Sequence, residues 1–171
     1  MVETLERLIE KVANNPKQPR AALFKELLRS ETFLLSLGAP LEEEQRTRVL
    51  KAEQTFSVWA DKDSEMGGVW VPVFPARDTV TAFVTGKKLR APKGKEYLWM
   101  GHGAGEVFGM MRSVRYFAGL KLYLSEEAQV PLNWSDVKAL SEGRLPADKP
   151  EIYALPVAKL TIPSGVRIAF G

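Results

Sequence analysis

Apolar residues first recur at helical spacing. Leu5, Leu8, Ile9 and Val12 return every three or four positions, and Asn14-Asn15-Pro16 closes the run, which predicts an N-terminal helix. A second helix follows Pro19, with Leu23, Phe24, Leu27 and Leu28 as its stripe. The period then drops to two. In ETFLLSL, Phe33, Leu35 and Leu37 share one face, as in a half-buried strand. GAPLEEEQRTRVLKAEQ interrupts the pattern: Pro40, acidic Glu42 to Glu44 and the pairs Glu42/Arg46 and Glu44/Arg48 fit a short exposed helix, with a mobile excursion as the alternative.

QTFSVWA and GVWVPVFP read as hairpin strands across the polar turn DKDSEMG. RDTVTAFVTG reads as a helix with Val80, Phe83 and Val84 inward and Gly86 as its stop. After the basic loop KKLRAPKGK comes the strand EYLWM, and Val107, Met110, Met111 and Val114 suggest a further helix. YFAGLKLYLS alternates Ala118, Leu120, Leu122 and Leu124 as a strand. In NWSDVKALSEG, Asn133 stands three before Asp136 as a cap and Gly143 ends the helix. Two helices followed by mingled strands and helices predict an α+β domain, a mixed and mostly antiparallel sheet with helices packed on it. RLPADKPE is linker-like, so the domain is expected over residues 1–145, with 146–171 a linker and extended segment turning at 163–165.

Composition narrows the chemistry. Cysteine is absent, which excludes disulfides, thiolate metal sites and cysteine nucleophiles. The longest uncharged run, 66–76, spans 11 residues with two prolines, whereas a membrane-spanning helix needs roughly 20 apolar ones. MVETLERLIEKV has no basic start before an apolar block, so no secretory signal is read and the cytoplasm is the expected compartment. A net charge of +3 is too mild to point to nucleic acid.

LWMGHGAGEVFGMMRS surrounds the only histidine with glycines. Strand, glycine-rich turn and helix is the context of a dinucleotide site. Counting from Gly101 and Gly103, however, the third glycine position holds Glu106, a carboxylate that would repel a phosphate; from Gly103 and Gly105 it holds Phe108. HGAG is akin to an oxyanion-hole loop, yet the chain has no G-x-S-x-G and no second histidine to serve as base. The favoured reading is that glycine lets the backbone turn sharply from strand to helix and allows close packing there, with His102 at or near the cap. A small-ligand or catalytic site at Gly101, His102 and Gly103 is the alternative. No catalytic residue, metal ligand or cofactor is assigned.

Three further patterns carry two readings each. Asp61, Asp63 and Glu65 are spaced like the start of a calcium loop, but Met66 and Pro72 occupy the positions of its glycine and bidentate glutamate, which favours a solvated turn. Lys87, Lys88, Arg90, Lys93 and Lys95, flanked by Phe83, Tyr97 and Trp99, are a candidate anion or nucleic-acid patch, or else a soluble loop beside core aromatics. Trp59 and Trp70 form an apolar patch for a protein partner if they share a face that helices leave open; otherwise they are core.

Taken in order, three segments resemble the N-terminal domain of the SseB family: LERLIEKVANNPKQPRAALFKELLRSETFLLSLG, GGVWVPVFPARDTVTAFV and GLKLYLSEEAQVPLNWSDVKAL. LPVAKLTIPSGVRIAFG is similar to the opening of the C-terminal half of longer members. The chain departs from the family in the length of APLEEEQRTRVLKAE, in the glycines of GHGAGEVFG and in Pro75, where the family often has threonine. The resemblance implies a small α+β domain in a bacterial cytoplasmic protein, under a family label of enhanced serine sensitivity and type III secretion. It implies no catalytic residues. A non-enzymatic interaction or accessory role, through a protein partner or self-association, is therefore the expectation.

Overall fold

The computed structural model describes residues 3–40, 56–62, 67–147 and 160–169. Helix α1 (Leu5–Asn14) starts where the Thr4 hydroxyl accepts the Arg7 N–H, and it buries the predicted Leu5, Leu8, Ile9 and Val12. Helix α2 (Ala21–Arg29) buries Leu23, Phe24 and Leu27 and leads directly into strand β1 (Glu31–Gly38). The short strands β2 (Ser57–Val58) and β3 (Asp61–Lys62) precede β4 (Val69–Val73) and helix α3 (Arg77–Gly86). Then come β5 (Glu96–Gly103), α4 (Ala104–Met110), a 3₁₀ turn Met111–Ser113, β6 (Phe117–Tyr123), β7 (Gln129–Asn133) and α5 (Trp134–Ser141). The fold is α+β, with two leading helices and a mostly antiparallel pairing in which only β4 and β6 run parallel.

Two ladders form, in the orders β2-β1-β5 and β3-β4-β6-β7. Phe33 and Phe74 join them by exchanging backbone hydrogen bonds at 2.9 Å each way. The result is one sheet with a fork in it. Beyond that pair, residues 57–62 fill the opening, first on β1 (Ser36 opposite Val58) and then on β4 (Asp61 opposite Trp70). The expected hairpin is corrected: β2, in the expected strand, belongs to β1, and Asp61 and Lys62, read as turn, pair with β4. Neighbouring residues of a strand point their N–H and C=O to opposite sides. Since Phe74 points into the fork, Pro72 does too, while Val71 and Val73 face β6. Its missing donor lies where no ladder bond is made among the described residues, which is how proline fits an interior strand.

Cores form on both sides of the sheet. One joins α1, α2, α4 and α5 to Leu34, Val71, Val73, Leu120, Leu122, Val130 and Leu132. The other packs Val80 and Phe83 of α3 on Phe33, Leu35, Phe74 and Tyr123. Beneath α5, Arg20 and Asp136 form a buried ion pair at 3.5 Å, and Asp136 also closes a capping box with Asn133.

Some expectations change. β7 lies in a stretch to which the pattern assigns no element; the ladder parity turns Pro131 away from β6, to the outer edge where no bond is lost. The helix read through Val114 ends as α4 at Met110, and Val114 is extended. Residues 160–169 are exposed and extended around a turn at Ser164 and Gly165, with no ladder to the described residues. The helix or excursion read in 41–54 lies outside the described residues, as do Asp63 and Glu65 of the calcium-like spacing. No helix among the described residues is long and apolar enough to cross a membrane.

Candidate functional site

The glycine-histidine stretch is a strand, not a turn. β5 pairs with β1 from Gly38 opposite Glu96 to Glu31 opposite Gly103, and α4 begins at the next residue. The chain passes directly from strand into helix at Gly103, and neither Gly101, Gly103 nor Gly105 has positive φ, so this passage does not draw on the left-handed freedom of glycine. The ladder itself holds the chain extended as far as the helix. The expected close packing is found at Gly101: a Cβ there would sit 2.7 Å from a Glu31 carboxylate oxygen and 3.0 Å from the Phe33 ring. His102 stands opposite Thr32, two places before the helix. Its Nε2 is enclosed without a hydrogen bond, and its Nδ1 lies 3.9 Å from Glu106. Glu106 is the acid that the spacing argument set against phosphate binding.

Lys87, Lys88, Arg90, Lys93 and Lys95 are all exposed on the loop between α3 and β5. Lys87, at the start of the run, has a partner. It is bonded to Glu126 at 3.0 Å and lies over the Phe83 ring. That contact, with a hydrogen bond from Tyr123, holds the Glu126 carboxyl below its ordinary pKa, while burial chiefly pushes the Tyr123 phenol up. Of the flanking aromatics, Phe83 is core and Tyr97 packs against it. Trp99 is exposed, but the Arg77 guanidinium covers one ring face at 4.1 Å.

Trp59 and Trp70 do not form an open pair. Trp59 sits edge-on to Phe83 and Tyr97 at about 6 Å and donates its indole N–H to Asp61. Trp70 is buried: its ring lies against Gly119 and its indole donates to the Gly67 carbonyl. Each indole has a partner, so burial costs no unsatisfied donor.

The most exposed aromatic surface lies elsewhere, in a groove that the sequence reading missed. Met111, Arg112, Val114, Tyr116, Phe117 and Trp134 line a space of about 280 Å³ between the 3₁₀ turn and the start of α5. Trp134 is the first residue of α5, held there by the Asn133 cap, and its ring meets Phe117 edge-on at 5.8 Å. Tyr116 is 80% exposed with φ of +59°, a left-handed conformation that disfavours any residue bearing a Cβ. Its carbonyl accepts the Val69 N–H at 2.9 Å, fixing the backbone that throws the ring outward. Arg115 lies 5.9 Å from that ring, and Arg112 lends positive field towards Glu142, whose carboxyl is held low mainly by Arg144. Only a backbone angle marks Tyr116; hydrophobic periodicity treats every aromatic alike.

A smaller recess of about 110 Å³ adjoins Asn133, Asp136 and Arg144. Two of its lining residues are tied together by Arg20, which bonds the Asp136 carboxylate and the Ala147 carbonyl. Among the described residues no three acidic or histidine side chains cluster as metal ligands. Comparison of the chain with family models, curated proteins and solved structures finds no match.

Proposed function

We propose that the chain is a non-enzymatic interaction domain of the SseB type, acting in the bacterial cytoplasm, and that the groove at Tyr116 and Trp134 receives an extended peptide segment. The reading rests on Tyr116. A left-handed tyrosine costs about 1–2 kcal/mol relative to the ordinary conformation, and a ring 80% exposed recovers little of that by packing. Strain held without a packing return points to a surface kept for contact. Trp134 and Phe117 supply the apolar floor, and Arg112 and Arg115 supply positive charge, so the complementary segment carries aromatic or aliphatic anchors beside acidic residues. Further support comes from the segments that resemble the family, which form α1-α2-β1, β4-α3 and β6-α5 in the expected order, with β7 as an addition between the last two.

Peptide display on the purified chain, followed by anisotropy titration of an enriched peptide, tests this. Tyr116→Gly is expected to raise thermal stability by up to about 1 kcal/mol while weakening the peptide at least about tenfold. Trp134→Ala should weaken it similarly. Failure to enrich any peptide, or an enriched peptide indifferent to both substitutions, overturns the reading.

A further inference from the structure

We infer that two copies of this chain pair edge to edge through β5, antiparallel about a twofold axis at Trp99. Backbone parity decides which groups of β5 are open. Phe33 gives its N–H and C=O to Phe74, and Leu35 accepts from Trp59, so both point away from β5. Thr32, Leu34 and Ser36 therefore face β5, and their partners His102, Met100 and Leu98 face back. The N–H and C=O groups of Tyr97, Trp99 and Gly101 are left pointing off the sheet, with no backbone partner among the described residues.

An open edge of this kind invites another strand, and folded proteins block such edges with proline, charge or brevity. The opposite edge is blocked: β7 has five residues and turns Pro131 outward. β5 has eight residues, EYLWMGHG, with no proline and no lysine. One edge is closed to pairing and the other is not.

Complementarity selects the occupant. In a twofold antiparallel pair the outward-facing residues must meet one another. Centring on Trp99 sets Tyr97 opposite the partner's Gly101, so no side chain stands opposite Tyr97 on the facing strand. The same register places Glu96 opposite the partner's His102, an acid facing an imidazole on one face of the sheet. A centre at Leu98 or at Met100 loses that pairing. Trp99, 43% exposed in the single copy, meets its twin across the axis. Because β7 is blocked, the twofold closes at a dimer and the sheet does not propagate into a fibre. One strand pair is a small interface, so the dimer exchanges rapidly and fills only at high concentration.

Two measurements decide the matter. In sedimentation velocity, the wild-type chain should shift from monomer towards dimer as concentration rises. Trp99→Lys, which brings two lysines and both Arg77 side chains to the axis, should weaken association by more than about tenfold. An equimolar mixture of Trp99→Lys with Trp99→Glu should associate more strongly than Trp99→Lys alone. Amide exchange on the unaltered chain gives a second readout. Exchange at Tyr97, Trp99 and Gly101 should slow with concentration, while Leu98 and Met100, already bonded to β1, should not change. A wild type monomeric throughout, a mixture that stays monomeric, or outward amides indifferent to concentration overturns the inference.

Discussion

The two faces of the forked sheet are made of different materials. On one, four helices cover a core that is aliphatic except for Phe24 and Phe108 among its enclosed members. On the other, α3 alone covers an aromatic cluster, in which Phe83 touches Phe74 at 5.2 Å, Tyr123 at 5.0 Å and Trp59 at 6.0 Å between ring centres. Aromatic rings bury much more area per residue than aliphatic chains, so a single helix with two fully buried apolar residues, Val80 and Phe83, suffices. The cost is concentration of risk. The aliphatic face shares its stability among many contacts, whereas the aromatic face rests on a few rings.

The largest effect is expected where that concentration is greatest. Phe83→Ala should cost about 3–5 kcal/mol, and native-state amide exchange should show α3 opening well before α1. If α3 remains as protected as α1, the contrast between the faces is broken. Gly119 comes next, because it probes the sheet between the cores. A Cβ there would meet the Leu132 carbonyl oxygen at 2.2 Å and the Trp70 ring at 2.5 Å, and the backbone atom has no rotamer by which to yield. Gly119→Ala should cost about 1–3 kcal/mol or more in denaturant unfolding.

A gain is expected at Ala76. On the aliphatic side, α1 and α5 have side-chain caps at Thr4 and Asn133; α3 begins at Ala76 with none. Ala76→Asp should stabilise the chain by about 0.5–1 kcal/mol, and the gain should appear in the exchange of α3. The smallest effect is at the exposed Lys87–Glu126 pair. Folding lowers the Glu126 pKa, so its contribution is present above the unfolded-state value and lost as pH falls through the folded one. Glu126→Gln should therefore cost less than about 1 kcal/mol near neutral pH. That difference in melting temperature should shrink towards zero in acid.

The one-sided stripes of α1, α2 and α3 were legible because each helix has one buried face and one wet face. β1 was legible as a strand but not as a central one. Alternation assigned Phe33, Leu35 and Leu37 to the core and left Leu34 unexplained, yet Leu34 is enclosed in the other core. Local patterns count residues on one element, and whether a second layer covers its far side is a fact about distant chain. The same limit hid β7, since only its place at the outer edge makes room for Pro131. It also ended the strand before the glycines, because glycine weakens a strand pattern, whereas pairing with β1 carries β5 through His102 to Gly103 before the helix begins. The groove escaped for a different reason. Nothing in the letters separates Tyr116, turned outward by a strained backbone, from Phe83, turned inward by a relaxed one.

Pro72 has a consequence for how this chain can change over time. Since it offers no donor to the gap, neither branch of the sheet depends on a neighbour at that point. Among the described residues only short pairings line this opening, Ser57 and Val58 on β1 and Asp61 and Lys62 on β4, so a change of length in the chain that precedes them need not break a rung between β4 and β6. The fork works as a seam at which the sequence can be let out or taken in.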